Sequence, residues 1–169
     1  IKNCHILYFY PKDDTPGCTR EALDFSDNID FFIKNNITII GISKDNVDKH
    51  DKFILKYNLK VALGSDVSGD VCEKFGVWVE KSMYGKKYMG IERSTFLISK
   101  NNIILKIWRK VKVKNHIDED SSFDGCAFET YDDEVEFVQT QNPHNIWTLV
   151  NVGNESYIVP GFRWIDRDL

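Results

Sequence analysis

The chain has 169 residues, 42% of them hydrophobic and 28% charged, with a net charge of −4, which allows one well-cored domain and room for a small second module. No apolar run approaches the ~18–20 residues that span a bilayer, and the N-terminus lacks the basic-then-apolar pattern of a secretory signal, so the sequence reads as cytoplasmic with no membrane role. Cys4, Cys18, Cys72 and Cys126 are scattered, with neither a CxxC pair nor a metal-ligand spacing, which argues against a disulfide scaffold or a zinc site and for reduced thiols. Charge is unevenly shared. Residues 1–119 hold 20 Lys and Arg against 16 Asp and Glu, residues 120–169 hold 2 against 10, and no lysine follows Lys114. The change near Asp120 marks a boundary between a domain over 1–119 and an acidic, aromatic segment over 120–169.

The chain opens at Ile1 and enters an apolar strand at once, Cys4 to Phe9, which suggests an N-terminally truncated domain. After a Pro- and Gly-containing turn, Ala22, Phe25, Ile29, Phe32 and Ile33 recur at helical spacing and predict a helix from about Thr19 to Lys34. Ile37 to Ser43 is a β-branched run that fits a strand buried on both faces, and Asp45 to Tyr57 is a second amphipathic helix. Val61 to Leu63 reads as a third strand and Asp70 to Phe75 as a short helix. Residues 76–92 read as a loop rich in Gly, Tyr and Lys. Ser94 to Ser99 and Ile103 to Val111 form a hairpin across Lys100-Asn101-Asn102. Alternating strands and helices followed by a hairpin predict an α/β core of mixed strand direction, thioredoxin-like in outline. Beyond Asp120, a short helix from about Asp132 to Gln139 and a hairpin over 146–152 and 157–165 are expected. Its aromatic content is too high for a disordered tail.

The chemistry concentrates in the first strand-to-helix turn, Pro11-Lys12-Asp13-Asp14-Thr15-Pro16-Gly17-Cys18. Unpaired N–H groups and the positive dipole end of a helix favour negative charge there, so a cysteine delivered to that turn is a candidate thiolate. An ordinary free thiol is only ~3% ionised at pH 7, and reaching ~90% takes about 3.4 kcal/mol of differential stabilisation. A helix terminus supplies ~0.3–2 kcal/mol, so a second cation is needed. Arg93, just before the strand at Ser94, is the candidate, being always protonated and fork-shaped. The Thr15 hydroxyl can donate to the sulfur or to a substrate oxygen and accept from a backbone N–H.

The filled pattern P-x-x-x-T-x-x-C, within YFYPKDDTPGCT, resembles the active-site loop of peroxiredoxins, and of the bacterioferritin comigratory protein or peroxiredoxin Q subfamily in particular. GISKD at 41–45, FGVWVEKSMYGKKYMGIERSTFLI at 75–98 and IWRKVKVKNH at 107–116 extend the resemblance over residues 1–117. It implies a thioredoxin-like thiol peroxidase with no metal and no organic cofactor. Cys18 would attack the O–O bond of hydrogen peroxide or an organic hydroperoxide and become a sulfenic acid. Thr15 and Arg93 would orient the peroxide and Pro11 would shield the pocket. A thiol, from thioredoxin or a smaller reductant, would restore the cysteine. The implied state is a monomer. Three departures from the family stand out. Leu23 occupies the place, five residues after Cys18, where many members carry a resolving cysteine; the strands that precede the first core strand are missing; and the C-terminal helix is replaced by the acidic segment. Cys72 and Cys126 remain as candidate resolving thiols, and without either the cycle is of one-cysteine type.

Other features have plainer readings. Cys4 fits a packed strand position, and His5, His50, His116 and His144 lack metal-ligand spacing and read as solvated or packed. The run Arg109 to Lys114 alternates charge with Val, as the solvated face of an edge strand does, and predicts no nucleic-acid site. Two rivals of other classes are a catalytically impaired peroxiredoxin-like binding or holdase protein, and a cysteine hydrolase, for which no general-base histidine near Cys18 is evident.

Overall fold

The computed structural model describes residues 4–114, 116–117, 146–152 and 155–161. Strand β1 (Cys4–Phe9) is buried along its whole length because it lies in the middle of the sheet. It pairs in parallel with β2 (Ile37–Ser43) and antiparallel with β6 (Ser94–Ile98). β3 (Ala62–Ser65) continues the parallel run beyond β2, and β7 (Ile104–Trp108) closes the hairpin with β6. β8 (Ile146–Val152) joins the free edge of β3 through Ser65 and Asn151, and β9 (Glu155–Gly161) follows it, giving the order β7-β6-β1-β2-β3-β8-β9. Pro160 lies in β9, an edge strand where a missing N–H breaks no ladder.

The alternation of β1 places Ile6 and Tyr8 on one face and Leu7 and Phe9 on the other. On the first face Phe25 of α1 (Pro16–Asp27), Phe32 of α2 (Ile29–Lys34) and Phe53 of α3 (Val47–Tyr57) cover Ile39 and Leu63. Helix α4 (Asp70–Lys74) covers the second face, where Val71 and Cys72 meet Leu7, Ile42 and Phe96. Both crossovers, β1 to β2 and β2 to β3, thus run over the same face, as successive connections of one hand require. Gly41 allows the closest approach in this core, since a Cβ there would lie 2.4 Å from the Tyr8 ring.

Three expectations need correction. The first helix starts at Pro16 and breaks at Asn28, whose side chain donates to Asp24 O at 2.9 Å and competes with the helical ladder. Residues 76–92 are not a loop: β4 (Trp78–Met83) and β5 (Lys86–Ile91) form a separate two-stranded sheet across Tyr84-Gly85. Its strands lack apolar alternation because most of their residues face solvent. Cys4 is not a packed thiol but disulfide-bonded. The expected helix near 132–139, Cys126 and His144 lie outside the described residues.

Candidate active site

β1 leaves the sheet at Tyr10, whose N–H still bonds Ile42 O at 3.0 Å. Exposed Pro11 begins the turn, and Asp14 adopts a left-handed φ of 56°, held by Lys56 Nζ at 2.7 Å and Tyr57 Oη at 2.6 Å. Thr15, extended at φ −102° and ψ 152°, is the N-cap of α1, and Pro16 follows in the first turn, where its missing N–H costs nothing and its ring presets φ. Cys18 therefore falls in the first turn of α1, with its sulfur near the positive end of the helix. It is 2% exposed.

Arg93 arrives from the connection between β5 and β6, 75 residues away in sequence. Its Nη2 donates to Cys18 Sγ at 3.2 Å, and its Nη1 is ion-paired with Glu21 Oε2. Val111 N–H bonds Arg93 O at 2.9 Å and fixes the backbone from which the side chain reaches. Two groups able to carry negative charge thus share one guanidinium. Burial pushes the Glu21 carboxyl up to about 7, against the lowering effect of Arg93, and Glu21 Oε1 has no hydrogen-bond partner among the described residues. Burial also works against the charge on Arg93, but Glu21 and Cys18 outweigh it and hold the guanidinium protonated. Lys81 of β4 adds a second cationic side chain: burial first, then Arg93, lowers its pKa, and its Nζ donates to Ile91 O at 2.7 Å.

The fold therefore brings Cys18, Thr15 and Arg93 to one end of the sheet, with Pro11 at the start of the loop. The Thr15 hydroxyl differs from expectation. It donates to Lys12 O at 3.1 Å and accepts no backbone N–H of α1, which leaves its oxygen lone pairs available to an incoming O–H. Cys72 is not brought near: it belongs to the core on the opposite face of the sheet from Cys18. Burial and then Asp66 push its thiol well above the ordinary range. Glu21 and Lys81 escaped the sequence reading. Glu21 carries a signal, since i to i+3 on a helix shares a face with Cys18; Lys81 carries none, because its place in the chain acquires meaning only through the β4–β5 hairpin. Of the histidines, His50 and His116 are buried and hydrogen-bonded to side chains, not solvated. Among the described residues no group of His, Cys, Asp and Glu is arranged to hold a metal, and no helix is long and apolar enough to cross a membrane.

A mixed sheet with helices on both faces, and a cysteine at a strand-to-helix turn against an arginine from a distant strand, define a thioredoxin-fold thiol protein. The chain belongs to the AhpC/TSA family, whose model matches residues 2–107. Peroxiredoxin Bcp of Bacillus subtilis is 54% identical over 114 residues, covering 68% of this chain and 73% of the relative. Peroxiredoxin Bcp of Escherichia coli is 44% identical over 113 residues, covering 67% and 72%. Among solved structures, bacterioferritin comigratory protein of Xanthomonas campestris, described for its alkyl peroxide reduction activity, superposes with a TM-score of 0.69 at 43% identity, covering 75% of this chain and 80% of that one. The resemblance seen in the loop motif thus extends to the fold.

Proposed function

We propose that this chain is a thiol-dependent peroxidase that reduces hydrogen peroxide and organic hydroperoxides through Cys18. The observation that carries the reading is the 3.2 Å contact between Arg93 Nη2 and Cys18 Sγ at the first turn of α1. It supplies the second cation that a helix terminus alone does not replace, and a fork that can hold sulfur and a peroxide oxygen together. The Cys18 thiolate attacks one peroxide oxygen: an S–O bond forms, the O–O bond breaks, and the departing hydroxide or alkoxide takes up a proton. Thr15, with its proton committed to Lys12 O, accepts the hydroperoxide O–H, while Pro11 limits access of water to the loop.

Return to the thiol follows a one-cysteine cycle in this reading. Leu23 stands five residues beyond Cys18 where a partner could have been, and Cys72 is on the far face of the sheet. A reductant thiol, from thioredoxin or a small molecule, attacks the sulfenic sulfur to give a mixed disulfide and water, and a second thiol releases Cys18. Because Cys18 is 2% exposed, that attack requires the first turn of α1 to open. The peroxidase unit is residues 1–119, with 120–169 an appended segment.

Stoichiometric peroxide titration with dimedone trapping tests the reading. A sulfenic acid on Cys18 at micromolar peroxide, absent in Cys18→Ser, is the expected result; no adduct on the native chain defeats it. Turnover with dithiothreitol or glutathione but none with thioredoxin would set aside the thioredoxin assignment alone.

A further inference from the structure

The loop that carries Thr15 and Cys18 is gripped from α3 by a buried polar network that the peroxidase chemistry does not itself use. Asp13, 7% exposed, accepts the Tyr10 hydroxyl at Oδ1 (2.6 Å) and faces His50 Nδ1 with Oδ2 (2.7 Å). Its backbone N–H donates to Asp45 Oδ2 at 2.8 Å, and Asp45 in turn accepts Ser43 Oγ and Lys49 Nζ, each at 3.1 Å. The other His50 nitrogen, Nε2, lies 3.2 Å from Gly64 O in β3. Since a carboxylate only accepts, Nδ1 carries a proton toward Asp13. Of the ties between α3 and this loop, the Lys56 and Tyr57 bonds to Asp14 are solvent-exposed and screened, whereas His50 and Asp13 are enclosed.

We infer that His50 is a positioning residue for the peroxide reaction: by donating from α3 to Asp13 it fixes the 11–15 loop, and with it the Thr15 oxygen and the Cys18 sulfur, relative to Arg93. The inference rests on the peroxidase reading. Reactions between held groups lose up to ~100-fold when the geometry slips by about 1 Å, and a loop two residues from its anchor is where such a slip begins.

The two ring nitrogens can be replaced separately. In His50→Asn the amide nitrogen falls near the Nδ1 position and can still donate to Asp13; in His50→Gln it falls near Nε2 and reaches Gly64 O, leaving Asp13 Oδ2 without its donor from α3. The readouts are the second-order rate constant for oxidation of Cys18 by hydrogen peroxide and the thermal midpoint of each variant. The Asn variant is expected to keep the rate within about 3-fold and the Gln variant to lose ~10–100-fold, at similar midpoints. Equal rates in the two variants, or losses that track the midpoints, overturn the inference. If either variant does not fold, Asp13→Ala, which removes the carboxylate that His50 faces at 2.7 Å, carries the test: a rate ~10–100-fold lower at a similar midpoint supports the assignment and an unchanged rate overturns it. The native chain, run alongside, separates the two levels. If it does not react with peroxide, the peroxidase reading itself has failed; if it reacts and the variants do not discriminate, only the role of His50 has.

Discussion

Arg93 has to serve two partners, and its geometry lets it do so: one Nη faces the Cys18 sulfur and the other the Glu21 carboxylate. A lysine would keep the charge but not the fork. Arg93→Lys is therefore expected to lower the rate of Cys18 oxidation by hydrogen peroxide at least ~10-fold while leaving the fold intact, as stopped-flow kinetics and circular dichroism would show; an unchanged rate would mean that charge alone suffices. Glu21 offers a test in pH. Its carboxyl is raised from 4.5 to about 7 by burial, so between those values the folded chain binds more protons than the unfolded one at this site. More protons bound in the folded state means that stability falls as pH climbs through the window. Glu21→Gln cannot ionise, so its thermal midpoint minus that of the native chain should rise from pH 4.5 to 7, measured by calorimetry at several pH values. A difference that stays flat would contradict the burial argument. Cys18, Thr15 and Arg93 were legible in the sequence because the loop pattern and the energetic need for a second cation pointed to them. Glu21 was not singled out, because its partner becomes a neighbour only when β6 pairs with β1.

Elements were legible where a hydrophobic pattern decided them. β1 and β2 are short runs dominated by apolar and β-branched residues, and α3 keeps an apolar side through Phe53. The β4–β5 hairpin gave no such signal, being largely exposed, and its turn is occupied by a residue that seldom marks one. Tyr84 (φ 51°) and Gly85 (φ 77°) are both left-handed, as a two-residue type I′ hairpin requires, and Tyr84 is 97% exposed. A non-glycine side chain in that region costs roughly 1–2 kcal/mol, which asparagine partly avoids by bonding locally. Tyr84→Asn is accordingly expected to stabilise the chain by about 0.5–1 kcal/mol in denaturant titration without changing the peroxide rate. No gain, or a loss, would mean that the tyrosine ring contributes contacts that offset its backbone strain.

At the scale of the whole molecule, the division of the core by the sheet decides which cysteines can meet. Adjacent residues of β1 point to opposite faces, so Tyr8 packs with Cys18, Phe25 and α1 while Phe9 packs with Phe75, Phe96 and α4. A sequence shows that Cys72 is on the apolar side of a short helix; it does not show which face of the sheet that helix covers, and the face is what rules the pairing. A disulfide needs Cα atoms within about 7 Å, a separation that two side chains packed on opposite faces of a central sheet do not reach without unfolding one of them. Cys72→Ala should therefore leave turnover with dithiothreitol unchanged, provided the cavity it creates does not unfold the protein. Since a buried truncation of this size costs on the order of 1 kcal/mol, folding should survive. Peroxide treatment of the native chain followed by alkylation and peptide mass spectrometry should find Cys72 as a free thiol after Cys18 has been oxidised. A peptide pair joined through Cys18 and Cys72 under native conditions would show that the sheet opens during the cycle and that the reductant need not attack Cys18 directly.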